Sequence, residues 1–276
     1  MPYLNCHLEK CTCCGSCVSV CPLHIIRIEP TQFPAFVENG HNRCIICGHC
    51  EAACPTAAIS IEDPRLAPTR YPVDLPPVPQ EQFAQHLRMR RSIRNFRQEP
   101  VSKPLLEELL ELMRYSPTAG NRQKLQWLMV YDTVELRRLT SIVVDWMRHI
   151  LEERGAPPFG MNLEGMIKAW QKGNDPICRN APHLLVVYSD YHEALCEANR
   201  LDGIIAMSYL DLTAPAYGIG TCWAGYFQLA LESWPPLREA LGLSENQQPI
   251  TAMLLGLPAV RYHRPPRRNQ VEITWR

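Results

Sequence analysis

One pattern constrains this chain more than any other. Cys-x-x-Cys-x-x-Cys-x-x-x-Cys-Pro occurs twice, as Cys11, Cys14, Cys17, Cys21 and Pro22, and again as Cys44, Cys47, Cys50, Cys54 and Pro55. The copies are offset by 33 residues, with Gly15 and Gly48 at equivalent places. The repeat runs past the cysteines: Ile26 and Ile28 recur as Ile59 and Ile61, alternating with Arg27 and Ser60 as in a short half-buried strand. Three thiolates on one tight loop can reach three corners of an iron–sulfur cube, with the fourth ligand arriving from elsewhere. Zinc is the competing metal, but it takes two Cys-x-x-Cys pairs and leaves the third cysteine and the Cys-Pro unexplained in both halves. The spacing therefore predicts two 4Fe-4S clusters held by these eight cysteines.

Residues 1–63 resemble the bacterial two-cluster ferredoxins, in which the cysteine before proline ligates the other cluster. The resemblance assigns Cys11, Cys14, Cys17 and Cys54 to one cluster and Cys44, Cys47, Cys50 and Cys21 to the other. Gly15 and Gly48 suit loops that bring backbone amides close to sulfide. Cys6, Cys13, Cys178, Cys196 and Cys222 fall outside the runs and read as buried or inert thiols.

Thirteen cysteines would also suit a disulfide scaffold. A chain of 276 residues with no visible export signal, and with eight of those cysteines at ligand spacing, instead reads as a cytoplasmic protein with reduced thiols. Lys plus Arg and Asp plus Glu both number 28, which argues against a nucleic-acid partner, and no apolar run is long enough for a membrane span.

Pro64, Pro68, Pro72, Pro76, Pro77 and Pro79 crowd the stretch after the repeat and predict a semi-rigid linker over 64–80. It divides a 1–63 cluster domain from an α+β domain over 81–276. In the latter, Ser102 reads as an N-cap, with Pro104 in the first turn and Leu105, Leu106, Leu109, Leu110 and Met113 at helical spacing. Gln126–Tyr131, His183–Tyr188 and Ile250–Leu255 read as strands, and Val134–Leu151 and Leu201–Tyr217 as helices, the second closed by Gly218 and Gly220.

No Gly-x-Gly-x-x-Gly follows a strand and no Walker-type loop is present, so a Rossmann nicotinamide site is not supported. Arg90, Arg91, Ser92 and Arg94 place three guanidinium forks and a hydroxyl within five residues, a set suited to phosphate. Asn121 and Gln123, in the segment SPTAGNRQ (116–123), carry amides that donate and accept, as a ring with mixed polar edges requires. Glycines in GIGTCWAGYF (218–227) would let backbone approach a planar ligand.

Together with GLPAVRYHRPPRR near the end, these segments resemble the FMN-dependent nitroreductase family over roughly residues 82–270. The resemblance implies an intertwined α+β homodimer with FMN at the subunit interface. It places Arg90, Arg91, Ser92 and Arg94 on the FMN phosphate and ribityl chain, and Asn121 and Gln123 on the ring and ribityl chain. It sets Gly225 and Tyr226 where backbone amides face flavin N5, and gives Arg267 or Arg268 a late phosphate contact. Two departures stand out: Lys124-Leu125 replaces the family's frequent Pro-Trp, and Gly225 stands where some members have Glu.

The expected activity is an iron–sulfur, FMN-dependent oxidoreductase. Single electrons from an external low-potential donor, such as a ferredoxin or hydrogenase, would pass through the clusters to FMN and on to a nitroarene, quinone or activated alkene. Two alternatives stay open: an adaptor exchanging electrons with a partner protein, and NAD(P)H oxidation feeding the clusters. Tyr226, His183 and Lys124 are candidate proton donors, none of them singled out. No catalytic residue is assigned from the sequence.

Overall fold

The 33-residue repeat is also a repeat of backbone geometry. In the computed structural model, which describes residues 1–30, 32–66, 76–154 and 161–276, left-handed φ angles occur at Cys13 and Ile46 (52° and 54°), at Gly15 and Gly48 (77° and 71°), and at His24 and Ala57 (50° and 49°). Gly15 and Gly48 each precede a one-turn helix, α1 (Ser16–Ser19) and α3 (His49–Ala52), which bury Cys17 and Cys50. A Cβ at Gly15 would meet nothing within 4 Å, so the glycine is required by its φ angle, not by crowding.

The described residues form two compact units: Met1–Pro77 with Gly120–Arg122, and Val78–Ala119 with Gln123–Arg276. In the first, β1 (Tyr3–Cys6) pairs antiparallel with β4 (Ile59–Glu62), and β2 (Ile26–Arg27) with β3 (Ala35–Phe36). A third short helix, α2 (Gly40–Arg43), lies between the repeats. The core of this unit is small. It consists of Leu4, Ile25, Ile26, Ile46, Ile59 and Ile61 together with Cys17, Cys21 and Cys50, so cluster ligands are part of its apolar packing. Of the proline-rich stretch, residues 67–75 lie outside the described residues.

The second unit is built on a four-stranded antiparallel sheet in the order β5 (Gln126–Val130), β6 (His183–Asp190), β8 (Gln247–Gly256), β7 (Gly220–Trp223). Residues alternate between its faces. Leu184 and Val186 of β6 and Ala252 and Leu254 of β8 join one core, while Leu185, Val187, Met253 and Leu255 join the other. α6 (Thr133–Arg154), α7 (Leu163–Gln171), α9 (Gly225–Ser233) and α10 (Pro235–Ala240) cover the first face through Val143, Met147, Leu163, Phe227 and Leu237. α5 (Lys103–Met113) and α8 (Cys196–Thr213) cover the second through Leu109, Met113, Met207 and Leu210. α4 (Gln80–Met89) leads into the unit and buries no residue fully. With helices on both faces, the uninterrupted apolar run of β6 is explained: neither side of the strand meets water.

Two expectations need adjusting. Gly218, at φ 71°, does close the α8 region after a 3-10 turn, but Gly220 is the first residue of β7 and not part of the helix end. Its Cβ would stand 2.6 Å from Ile93 Cγ1, so it is glycine for close approach. Ser102 does precede α5, yet its side chain makes no capping hydrogen bond.

Candidate cluster and flavin sites

The amino-terminal unit gathers four thiols into one cavity. Cys21, Cys44, Cys47 and Cys50 line it, with Pro22, Ile25, Ile26, Phe36 and Ile61 as its apolar wall. Cys21 comes from the first run and the other three from the second, so the chain crosses between repeats as a shared cluster would require. Four thiolates in an apolar cradle fit a 4Fe-4S cube. Among the described residues no three His, Cys, Asp or Glu side chains converge as on a single metal ion. The four thiolates of a cube bind separate irons, so their sulfurs stand farther apart than the ligands of one ion do.

The thiol environments differ within each run. Burial pushes Cys50 up to about 11 and raises Cys17 and Cys44; Cys17 lies within reach of the charges on Cys11 and Cys14, and Cys44 within reach of Cys47 and Cys21. Cys14 is lowered, chiefly by hydrogen bonding from the Ser16 hydroxyl. At Cys54 burial works upward, but the Ala58 amide, 3.1 Å from Sγ, and the Thr56 donors outweigh it. Cys6 lies beside Cys11 and is pushed to about 11, mainly by burial. Cys13 is exposed.

The arginine-rich segment is tied into the second unit by main-chain contacts. Ser92 bridges Thr221 of β7, and the Ile93 amide donates to the Thr221 carbonyl at 2.7 Å. Farther on, Phe96 bridges Pro258, the Arg97 amide donates to Leu257 O, and the Ala259 amide donates to Asn95 O. Three of the four segments singled out in the sequence are therefore adjacent: 90–97, 218–227 and the start of 256–268.

Two cavities flank this strap. Arg90, Arg91 and Arg97 line one of about 450 Å³ with Gly218, Gly220, Thr221, Pro258 and Arg261. Arg91 is lowered by burial and then by the neighbouring charges of Arg268 and Arg90. Arg91 and Arg268, like charges set close together, suit a doubly charged phosphate. Of the two late arginines, it is Arg268 whose charge reaches Arg91. Arg90 is differently placed: its Nη1 donates to Asp211 at 3.2 Å, and this buried carboxylate also accepts from the Thr221 hydroxyl and from Trp223 Nε1. Asp211 was not singled out in the sequence; its one signal is a carboxylate within the mostly apolar second half of α8.

The second cavity, about 440 Å³, is lined by Arg94, Arg179, Cys222, Trp223, Gly225, Tyr226 and Gln228 among others. Gly225 opens α9, so the first amides of that helix have no intrahelical acceptor and remain for a ligand.

Asn121 and Gln123 both hold left-handed φ angles, 53° and 50°, beside Gly120 at 60°. Such backbone is uncommon for residues with side chains and is held in place by its surroundings. Asn121, in the stretch grouped with the first unit, donates through Nδ2 to the carbonyls of Ile45 (3.0 Å) and Ile46 (2.9 Å). The Gln123 amide donates to the Thr118 hydroxyl, and Gln123 lines a separate cavity with Ser116, Thr118 and Trp127. The segment is anchored before its strained turn: the Ala119 amide donates to Asp202 Oδ1 at 2.9 Å.

Of the candidate proton donors, His183 is fully buried and already engaged. Its Nε2 accepts from the Val101 amide at 2.9 Å, which leaves Nδ1–H to donate to the Tyr131 carbonyl at 2.8 Å. It is a structural residue.

Comparison with known proteins agrees with both halves. Residues 10–59 match the 4Fe-4S dicluster domain, and residues 87–257 match the nitroreductase family. A relative from Archaeoglobus fulgidus, assigned as an NADH dehydrogenase/NAD(P)H nitroreductase, is 27% identical over 61% of this chain and 81% of its own. An FMN-bound nitroreductase from Bacteroides fragilis superposes with a TM-score of 0.56, at 20% identity over 70% of this chain and 98% of its own. One from Desulfitobacterium hafniense, also with bound FMN, gives 0.56 at 21% identity over 70% and 97%. The chain belongs to the nitroreductase family and carries a 4Fe-4S dicluster domain ahead of the family's α+β fold.

Proposed function

We propose that this protein is an FMN-dependent iron–sulfur oxidoreductase that collects single electrons on two 4Fe-4S clusters and delivers them in pairs, through FMN, to a small organic acceptor. The observation that carries this reading is the cavity shared by Cys21, Cys44, Cys47 and Cys50, in a chain whose other unit has the nitroreductase fold. FMN, when bound, converts one-electron input into two-electron output. The protein's own residues would orient it. Arg91 and Arg268 would hold the phosphate, Ser92 and Arg94 the ribityl side, and the free amides at the start of α9 the reacting edge of the ring. Asn121 and Gln123 would contact the ring from the strained turn. Cys11, Cys14, Cys17 and Cys54 would hold the first cluster and the cavity thiols the second.

A nitro acceptor consumes two electrons and two protons in becoming a nitroso compound and water, so a proton source is needed, and solvent entering the open cavity can serve. Anaerobic purification should yield iron, acid-labile sulfide and non-covalent FMN. Dithionite should then reduce the protein by four electrons per chain, and a nitroarene or quinone should reoxidise it. Protein without iron or without FMN would sink the reading.

The name of the Archaeoglobus relative favours a second donor, NADH or NADPH. Anaerobic stopped-flow mixing separates the two, because rapid flavin bleaching by NADH makes the clusters outputs instead of inputs.

A homodimer fits the surface. Leu201, Ile205, Tyr209 and Leu212 are 36–49% exposed on α8, an apolar stripe at helical spacing that a second copy would cover. Among the described residues no helix is long and apolar enough to cross a membrane.

A further inference from the structure

Arg179 sits in a backbone conformation that its own side chain makes unfavourable. Its φ is 59° and that of the following Asn180 is 49°, two consecutive left-handed residues neither of which is glycine. Each such residue carries a conformational cost, and the pair persists only because the surroundings impose it. The imposing group is Asp175. Its Oδ1 accepts from the amides of Ile177 (3.0 Å) and Cys178 (2.8 Å), and its Oδ2 from the amide of Asn180 (3.0 Å). Cys178 and Ile177 are buried in the core, which fixes the other side of the turn. A carboxylate with three amide donors and a buried anchor is a rigid mount.

What the mount presents is a guanidinium at the wall of the cavity that also holds Arg94, Trp223, Gly225, Tyr226 and Gln228. Arg94 and Arg179 line the same cavity, and the charge of each reaches the buried Cys222 thiol. Among the described residues neither forms an ion pair, in contrast to Arg90, which is committed to Asp211. Arg91, which the charge of Arg268 reaches, lines the other cavity. Two cations therefore remain in this cavity. Arg94 has an assignment on the flavin; Arg179 has none.

We propose that Arg179 recognises the electron acceptor, and that the acceptor is an anion: an aromatic or unsaturated compound bearing a carboxylate, which the guanidinium fork would bind bidentately while the reducible group lies against the flavin. Trp223 and Tyr226 supply the flat apolar wall such a molecule needs. This inference rests on the flavin reading of the cavity.

The test uses the FMN-loaded holoprotein and two probes of nearly the same shape, the anionic 4-nitrobenzoate and the neutral 4-nitrobenzamide. Their dissociation constants are read from the perturbation of the oxidised flavin spectrum, without turnover. Wild type should bind the benzoate about 10- to 100-fold more tightly than the amide, the scale of a charge-assisted hydrogen bond. Arg179→Gln should reduce that preference to within about twofold, and Arg179→Lys should restore part of it. In both variants the FMN dissociation constant and flavin midpoint potential should stay at the wild-type values. Equal binding of the two probes by wild type overturns the proposal. So does an Arg179→Gln variant that keeps the preference but loses FMN or shifts its potential, since Arg179 would then serve the flavin. Holoprotein that contains FMN but shows no charge preference removes only this inference. Protein that takes up no FMN removes the functional reading and this inference with it.

Discussion

The two units of this protein are stabilised in opposite ways. Among the described residues of the cysteine-rich unit no helix exceeds one turn, and three of the nine buried core residues are cysteines. Its core is too small to hold such irregular backbone alone, and metal binding becomes part of the folding free energy. The sheet unit carries two apolar cores on either side of β6 and β8, with Leu109, Val143, Met147, Phe227 and Leu184 without solvent exposure. On those two cores it should fold without the clusters. The lesson is that cofactor loss and core damage should injure different halves.

The sharpest way to break this contrast is to remove the clusters. Chelation with an oxidant is expected to abolish amide protection throughout β1, β4 and the two cysteine loops while leaving β6 and β8 protected, as read by hydrogen exchange. If both units lose protection together, the contrast is wrong. In the converse experiment, Leu109→Ala should cost about 2–5 kcal/mol in denaturant unfolding of the sheet unit, because Leu109 is fully buried, and should leave the iron content unchanged. Gly220→Ala should cost less, about 1–3 kcal/mol, since Ile93 must move from a Cβ placed 2.6 Å away. That substitution also tests the strap, because it should weaken FMN binding through Ser92 and Ile93.

Acid gives a graded version of the same comparison. Burial depresses the His183 pKa, so the folded imidazole refuses a proton that the unfolded one accepts. The sheet unit should keep its full stability above the ordinary histidine value of about 6.5 and lose it progressively as pH falls below that. Urea midpoints at several pH values would show the slope, and His183→Gln should flatten it. The smallest effect is expected at Arg138, whose ion pair with Glu135 is 51% and 42% exposed. Arg138→Ala should change stability by about 0.5 kcal/mol or less, and a larger loss would show that the surface of this unit matters more than its core.

Much of this was legible in residue order because cysteine chemistry and hydrophobic period are local properties. The cysteine spacing, the repeat and its isoleucines specify a duplicated loop-and-strand unit, and β6 declares itself as a buried run. The first turn of α8, Cys196 to Arg200, is not legible as part of an apolar helix, since Glu197, Asn199 and Arg200 break the pattern although Asn199 is buried. The strand β7 hid inside a glycine-rich segment, because four residues with two small side chains carry no period. Asp175 and Arg179 were silent altogether: an ordinary Asp and an ordinary Arg acquire meaning only when a turn forces φ positive.

The cysteine runs, then, were determined by sequence alone in kind and number, since ligand spacing along a tight loop is a covalent constraint. Which thiols share a cavity was decided by the fold, through the pairing of β1 with β4 and the packing of Cys21 against the second loop. The same division holds for the arginines. Their chemistry is written in the chain, but only tertiary structure assigns Arg90 to Asp211, Arg91 to Arg268 and Arg179 to the open cavity, because charges separated by many residues meet only after the apolar core has placed them.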